Sequence, residues 1–289
     1  MKKLALLVLF ISANIFAQKA DPYKPDFSAP AKIGGMKLVW NDEFNNTGAP
    51  DSSNWSFEKG FVRNEELQWY SAANARCGGG VLLIEGKKER VANPGFIPDS
   101  KNWREARQYA GYTSASIKTA GHKDWLYGTF LVRARIDTST GAWPAIWLVG
   151  TAGGWPRNGE IDMMEFYRIE TGPVVLANVA WAGDKPGRAK WNDKKIPLAH
   201  FTQKDPDWVN KFHIWKMEWD SLSIKLYLDD ELLNTQSVKD AVNPDGNRPF
   251  TKPQLLILNL ALGQNGGDPS GSRLPIKYEI DYARVYQKN

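Results

Sequence analysis

Apolar residues in this chain fall in short runs punctuated by Gly, Pro, Asn and Asp, and the runs fit a strand better than a helix. Residues 80–85, 127–136 and 223–229 are the clearest, and 174–181, 254–262 and 278–286 add three more. Asp229-Asp230 is placed to turn a hairpin after the third. Residues 237–242 have room for one helical turn at most, and no long amphipathic helix occurs. Many short strands with regular turn signals predict an all-β sandwich or jelly roll.

Three parts are expected. Residues 1–17 read as a secretory signal peptide: Lys2 and Lys3 form a basic start, 4–11 an apolar stretch, and Ala17 a small residue for cleavage. The stretch is shorter than the ~20 residues of a spanning helix. The address is therefore an exported one, periplasmic, cell-surface or extracellular, with no membrane span once the leader is removed. Residues 18–35, with Pro22, Pro25, Pro30 and Gly34-Gly35, read as an extended lead-in. Residues 36–289 form one domain without linker or repeat.

Composition narrows the chemistry. The 37 Lys and Arg against 32 Asp and Glu give +5, and loss of Lys2 and Lys3 lowers this to +3, too mild for an electrostatic nucleic-acid binder. The single cysteine, Cys77, excludes a disulfide framework and reads as a buried thiol. No H-E-x-x-H, G-x-S-x-G or P-loop pattern is present.

The segment 155–166 is the most informative. On a regular strand Glu160 and Asp162 share a face and Glu165 points away, because side chains repeat every two residues. A bulge at Met163-Met164 would return Glu165 to the acidic face. The glutamates are then about 13 Å apart at Cα, at ~3.3 Å per residue, and can lean together over a concave sheet. That permits the carboxyl separation of about 5–5.5 Å used by retaining glycosidases. Three close carboxyls cannot all ionise cheaply, so at least one keeps its proton near neutral pH. An exposed acidic strand face would be the bland reading, but Trp143, Trp147, Trp155 and Trp181 bracket the acids. Tryptophan faces suit the apolar faces of sugar rings. About half of the 13 tryptophans are assigned to substrate on this ground, whereas Trp215 and Trp219 alternate with polar residues and serve the core.

Residues 159–165 (GEIDMME) resemble the catalytic signature of glycoside hydrolase family 16, in the bulged form of laminarinases and agarases. The similarity runs over roughly 36–288 and includes 40–44, 64–70, 143–147, 258–261 and 281–286. The resemblance implies a concanavalin A-like jelly roll of two curved antiparallel sheets with a cleft for a β-linked polysaccharide. It implies endo-acting, retaining hydrolysis, with Glu160 as nucleophile, Glu165 as general acid/base and Asp162 assisting. Trp143, Trp147 and Trp155 fall where the family stacks sugars on the non-reducing side, and Asn64 and Arg63 match polar contacts there. No cofactor is required; a structural calcium is expected from the resemblance, with Asp281 as its side-chain ligand.

Two departures bear on substrate. Laminarinases commonly carry a His where this chain has Ala180, and the insert 89–109, with Trp103, Arg104 and Arg107, is placed to wall one end of the cleft. The leading expectation is a secreted monomeric endo-β-glucanase acting on β-1,3- or mixed β-1,3/1,4-glucans. An endo-β-galactanase acting on agar, porphyran or mucin-type glycans is the alternative. A sugar-binding jelly roll without catalysis is a third reading, and a transglycosylase a variant of the first.

Overall fold

The computed structural model describes residues 20–288, so the leader at 1–17 lies outside the described residues. All six expected runs form strands: Val81–Gly86, Gly128–Ile136, Gly172–Ala182, Ser223–Leu228, Gln254–Leu262 and Ile276–Gln287. Asp229 adopts φ 51° in the turn leading to Glu231–Ser237, and 237–242 contains only the 3-10 turn Val238–Asp240.

Antiparallel pairing builds two large sheets. One runs in the order Ala189–Pro197, Gly172–Ala182, Glu160–Ile169, Ala142–Gly150, Gln254–Leu262, Ser116–Lys118, Ser56–Phe57. The other runs Lys32–Ile33, Met36–Asp42, Ile276–Gln287, Gly128–Ile136, His213–Trp219, Ser223–Leu228, Glu231–Ser237, with Val81–Gly86 also paired to Ile276–Gln287. This is the jelly-roll sandwich that the strand pattern predicts. Between the sheets Trp215, Tyr278, Phe130, Phe166 and Ile146 are fully buried, and Trp219 joins them. Burial of each large apolar side chain contributes about 1.5–3 kcal/mol. Cys77 is buried and unpaired, and burial, with Asp42 nearby, pushes its thiol up to about 12.

Strand Ala189–Pro197 was not foreseen. It is a sheet edge with little apolar content, and Lys190, Lys194 and Lys195 interrupt any alternation. Its partner Gly172–Ala182 fixes it through nine paired positions, from Val174↔Pro197 to Ala182↔Ala189.

The lead-in is extended as expected, and buried charges fasten it across the sheet that lacks the acidic strand. Arg133 pairs with Asp281, both almost inaccessible, and donates to the backbone oxygens of Asp21 (2.6 Å) and Lys24 (2.8 Å). Arg284 pairs with Glu43 and Asp26, and the Tyr286 hydroxyl donates to Pro30 O at 2.9 Å. The surroundings of Asp281 bear on the calcium expectation. Both Asp281 oxygens accept from the Asp26 N–H (3.1 and 3.0 Å), and Oδ2 also accepts from Arg133. A guanidinium thus already neutralises that carboxylate and repels a second cation, so the position does not fit calcium, which needs an all-oxygen shell.

Breaking a buried ion pair strands the remaining charge. Arg133→Met is expected to lose about 3–5 kcal/mol of stability, measured by urea unfolding, and Arg133→Met with Asp281→Asn to recover part of it. A loss below ~1 kcal/mol would show that the pair does not hold the lead-in.

Candidate active site

The free face of the first sheet forms the floor of a cleft of about 1020 Å³. Glu160, Asp162 and Glu165 all line it. The expected bulge is what brings them there. Asp162 pairs with Asn178 and Glu165 with Leu176, so two residues on the acidic strand, Met163 and Met164, oppose the single Ala177 on its neighbour. Met163 and Met164 both turn into the core and are fully buried, and Glu165 regains the face of the other acids.

Two donors hold Glu165. Trp143 Nε1 reaches Oε1 at 2.9 Å and Asn178 Nδ2 reaches Oε2 at 3.1 Å. Burial raises its carboxyl above the usual range despite both. Burial also pushes Glu160 up to about 7, with the charge of Glu165 adding to it and the Trp155 indole and Arg63 pulling the other way. Asp162 is fully enclosed, and burial beside Glu160 and Glu165 holds its proton well above the ordinary carboxyl range. Its Oδ2 makes no hydrogen bond, an arrangement that a protonated carboxyl tolerates better than a carboxylate. The acids thus form one coupled group that retains protons toward neutral pH.

The expected sugar-binding residues divide. Trp143, Trp147 and Trp155 line the cleft, with Trp155 half exposed on the loop before the acidic strand. Trp147 donates to Asn259 Oδ1 at 2.7 Å, and the Arg63 guanidinium lies 5.0 Å from its ring centre. Arg63 and Asn64 also line the cleft, Arg63 paired with Glu58. Trp181 is corrected. Its strand sends Leu176, Asn178 and Ala180 to the cleft face, and alternation sends Trp181 into the core, where it is 4% exposed.

The insert 89–109 does not wall the cleft; it braces the loop that does. Arg104 bonds Val62 O, and Arg107 donates to Glu65 O (2.7 Å) and Glu66 O (2.5 Å), while Trp103 packs on Phe61. Asn64 and Glu65 both take left-handed conformations (φ 54° and 51°), which these bonds keep in place. Sequence reasoning passed over Asn178, Glu58, Asn259 and the edge-strand residues Trp191, Asp193 and Lys195, all of which line the cleft. The parity that misplaced Trp181 would have found Asn178, since 178 and 180 share a face.

The bulge makes a direct prediction. Deleting Met164 leaves Glu-Ile-Asp-Met-Glu, which on a regular strand keeps all three acids on the cleft face, so glycan hydrolysis is expected to stay above about a tenth of the wild-type level. Deleting Met163 and Met164 together turns Glu165 toward the core, and hydrolysis is expected to fall below detection with the antiparallel fold retained by circular dichroism; the reverse order of the two variants would contradict the parity argument.

A sequence profile of Glycosyl hydrolases family 16 matches residues 82–284. A beta-glucanase of Rhodothermus marinus is 34% identical over 277 residues, covering 89% of this chain and 87% of that one. The laminarinase catalytic domain of Thermotoga maritima superposes with a TM-score of 0.72 at 31% identity, covering 88% and 99% of the two chains. A structure from work on endo-acting O-glycanases by which human gut microbiota initiate mucin breakdown superposes with a TM-score of 0.80 at 34% identity, covering 90% and 94%. With its bulged acidic strand, its cleft and these matches, the chain belongs to glycosyl hydrolase family 16 and is an O-glycosyl hydrolase.

Proposed function

We propose that this enzyme is a retaining endo-β-glucanase that cuts β-1,3- or mixed β-1,3/1,4-glucans by double displacement. The observation that carries the mechanism is the bulge that sets Glu160, Asp162 and Glu165 on one face of an open cleft. Its open form admits the interior of a polymer. The glucan preference rests on the likeness to the Rhodothermus beta-glucanase and the Thermotoga laminarinase.

In the first step Glu165 gives its proton to the glycosidic oxygen while a Glu160 carboxylate oxygen attacks the anomeric carbon, and the leaving chain departs with a new hydroxyl. In the second step Glu165 takes a proton from water, the water oxygen bonds to the anomeric carbon, and Glu160 is released as carboxylate. Trp143 and Asn178 hold Glu165 in position for both transfers. Asp162, keeping its proton, favours the ionised form of Glu160 by offering it a hydrogen bond. Trp143, Trp147 and Trp155, with Asn64 and Arg63, bind sugars on the non-reducing side. The expected leader and a polymeric substrate fit work outside the cytoplasm, and among the described residues no helix is long and apolar enough to cross a membrane.

A galactan-type substrate is the second reading. Ala180 beside Glu160 and the likeness to the O-glycanase structure favour it. Product analysis on laminarin, lichenan, agarose, porphyran and mucin O-glycans separates the two, with Glu160→Ser as control. Oligosaccharides from laminarin or lichenan, absent with Glu160→Ser, are expected; products from galactans or mucin glycans alone would overturn the glucan assignment. No products from any of them would sink both.

The acids also fix the pH response. The nucleophile must be ionised, so the acid limb of kcat/KM follows Glu160 and lies above the ordinary carboxyl range. Asp162→Ala removes a donor that favours the charged form, which raises the Glu160 pKa and moves the acid limb upward, with at least a ~10-fold loss of kcat. Asp162→Asn keeps a donor and is expected to leave the limb near its wild-type place; an equal shift in both variants would refute the donor role.

A further inference from the structure

The cleft continues past the acids on the side away from Trp147, onto the edge strand Ala189–Pro197. Register carries the catalytic row outward. Glu160 pairs with Ala180 and Ala180 with Trp191; Asp162 pairs with Asn178 and Asn178 with Asp193; Leu176, opposite Glu165, pairs with Lys195. Directly opposed residues share a face of the sheet, so Trp191, Asp193 and Lys195 stand on the same floor as the acids, and all three line the cleft.

Trp191 is a large aromatic left 43% exposed on an edge strand, beside the charged Asp193 and Lys195 on the same face, an arrangement that core packing does not require. Two strand spacings put it about 10 Å across the sheet from Glu160. Ala180, on the strand between them and directly opposite both, is fully buried and carries only a methyl group. Asp193 and Lys195 pair at 2.5 Å, so the platform has no net charge and offers a donor and an acceptor at its border.

We propose that Trp191 is a sugar platform on the leaving-group side of the cleft, resting on the reading of this site as a retaining glycosidase. The ligand is an uncharged β-linked hexopyranose: its apolar ring face stacks on the indole and its hydroxyls meet Asp193 and Lys195. The same platform receives the departing chain in the first step and an incoming sugar acceptor in the second. In that transfer the acceptor hydroxyl oxygen bonds to the anomeric carbon, the ester bond to Glu160 breaks with its electron pair returning to the carboxylate, and Glu165 takes the hydroxyl proton.

Leaving-group chemistry provides the test. Trp191→Ala in the full domain is compared with wild type on laminarihexaose, cut between two sugars, and on β-laminaribiosyl fluoride, whose leaving group has no ring. Kcat/KM on the hexaose is expected to fall about tenfold, as loss of a stacking contact predicts. Fluoride turnover should change less than twofold, and transfer to added laminaribiose should fall with the hexaose. Trp191→Phe should restore most of the hexaose rate. Equal losses on both substrates would mean that Trp191 only supports the fold, and no loss on either would mean that it touches no sugar. Either result overturns the platform while leaving wild-type turnover and the hydrolase reading intact. If wild type works only on galactans, the same pair of galacto-oligosaccharide and glycosyl fluoride is used.

Discussion

Side chains on a strand alternate between its two faces, and the catalytic apparatus depends on breaking that rule once. The extra residue at Met163–Met164 places two consecutive methionines in the core and sets the third acid beside the first two. Everything else in the cleft keeps strict parity. Trp143, Ala145, Trp147 and Val149 on one neighbour and Asn178 on the other line the cleft because their strands pair in regular register with what surrounds the bulge. The flexible thioether of methionine suits this place, since a locally kinked backbone leaves an irregular volume for the core to fill.

Gathering three carboxyls in one place has an energetic consequence for the whole molecule. Their folded pKa values lie above those of the unfolded chain. Below the unfolded carboxyl range they add no penalty, and the penalty grows as pH rises through the raised values, because the folded state resists releasing protons that the unfolded chain gives up. The site is thus a local destabilisation that the rest of the sandwich offsets. The interior between the sheets and the buried Arg133–Asp281 and Arg284–Glu43 pairs lie away from the cleft, where they support the fold without competing for the geometry of the acids.

Much of this was legible in the sequence, and the failures share a physical pattern. The sandwich follows from strand-length apolar runs, and the bulge follows from three acids whose spacing no regular strand could reconcile with one face. Trp181 was misread because proximity in sequence was taken for a shared face, although it stands one residue from Ala180 and so on the opposite side. At Asp281 the sequence shows what a carboxylate can bind but not what already binds it; Arg133 is 148 positions away in the chain. Strand Ala189–Pro197 gave no periodic signal because only Ile196 packs against the core, and Trp191, Asp193 and Lys195 were passed over with it.

That edge strand has a further consequence for how copies of the enzyme behave together. An open strand presents unpaired backbone groups that invite another chain to extend the sheet. Here the exposed positions include Lys190 and Lys194, and like charges on two approaching edges oppose the pairing. The opposite edge, Ser56–Phe57, is two residues long and offers little to copy. The sheet can therefore stay open along this border without offering its edge as a template for another copy.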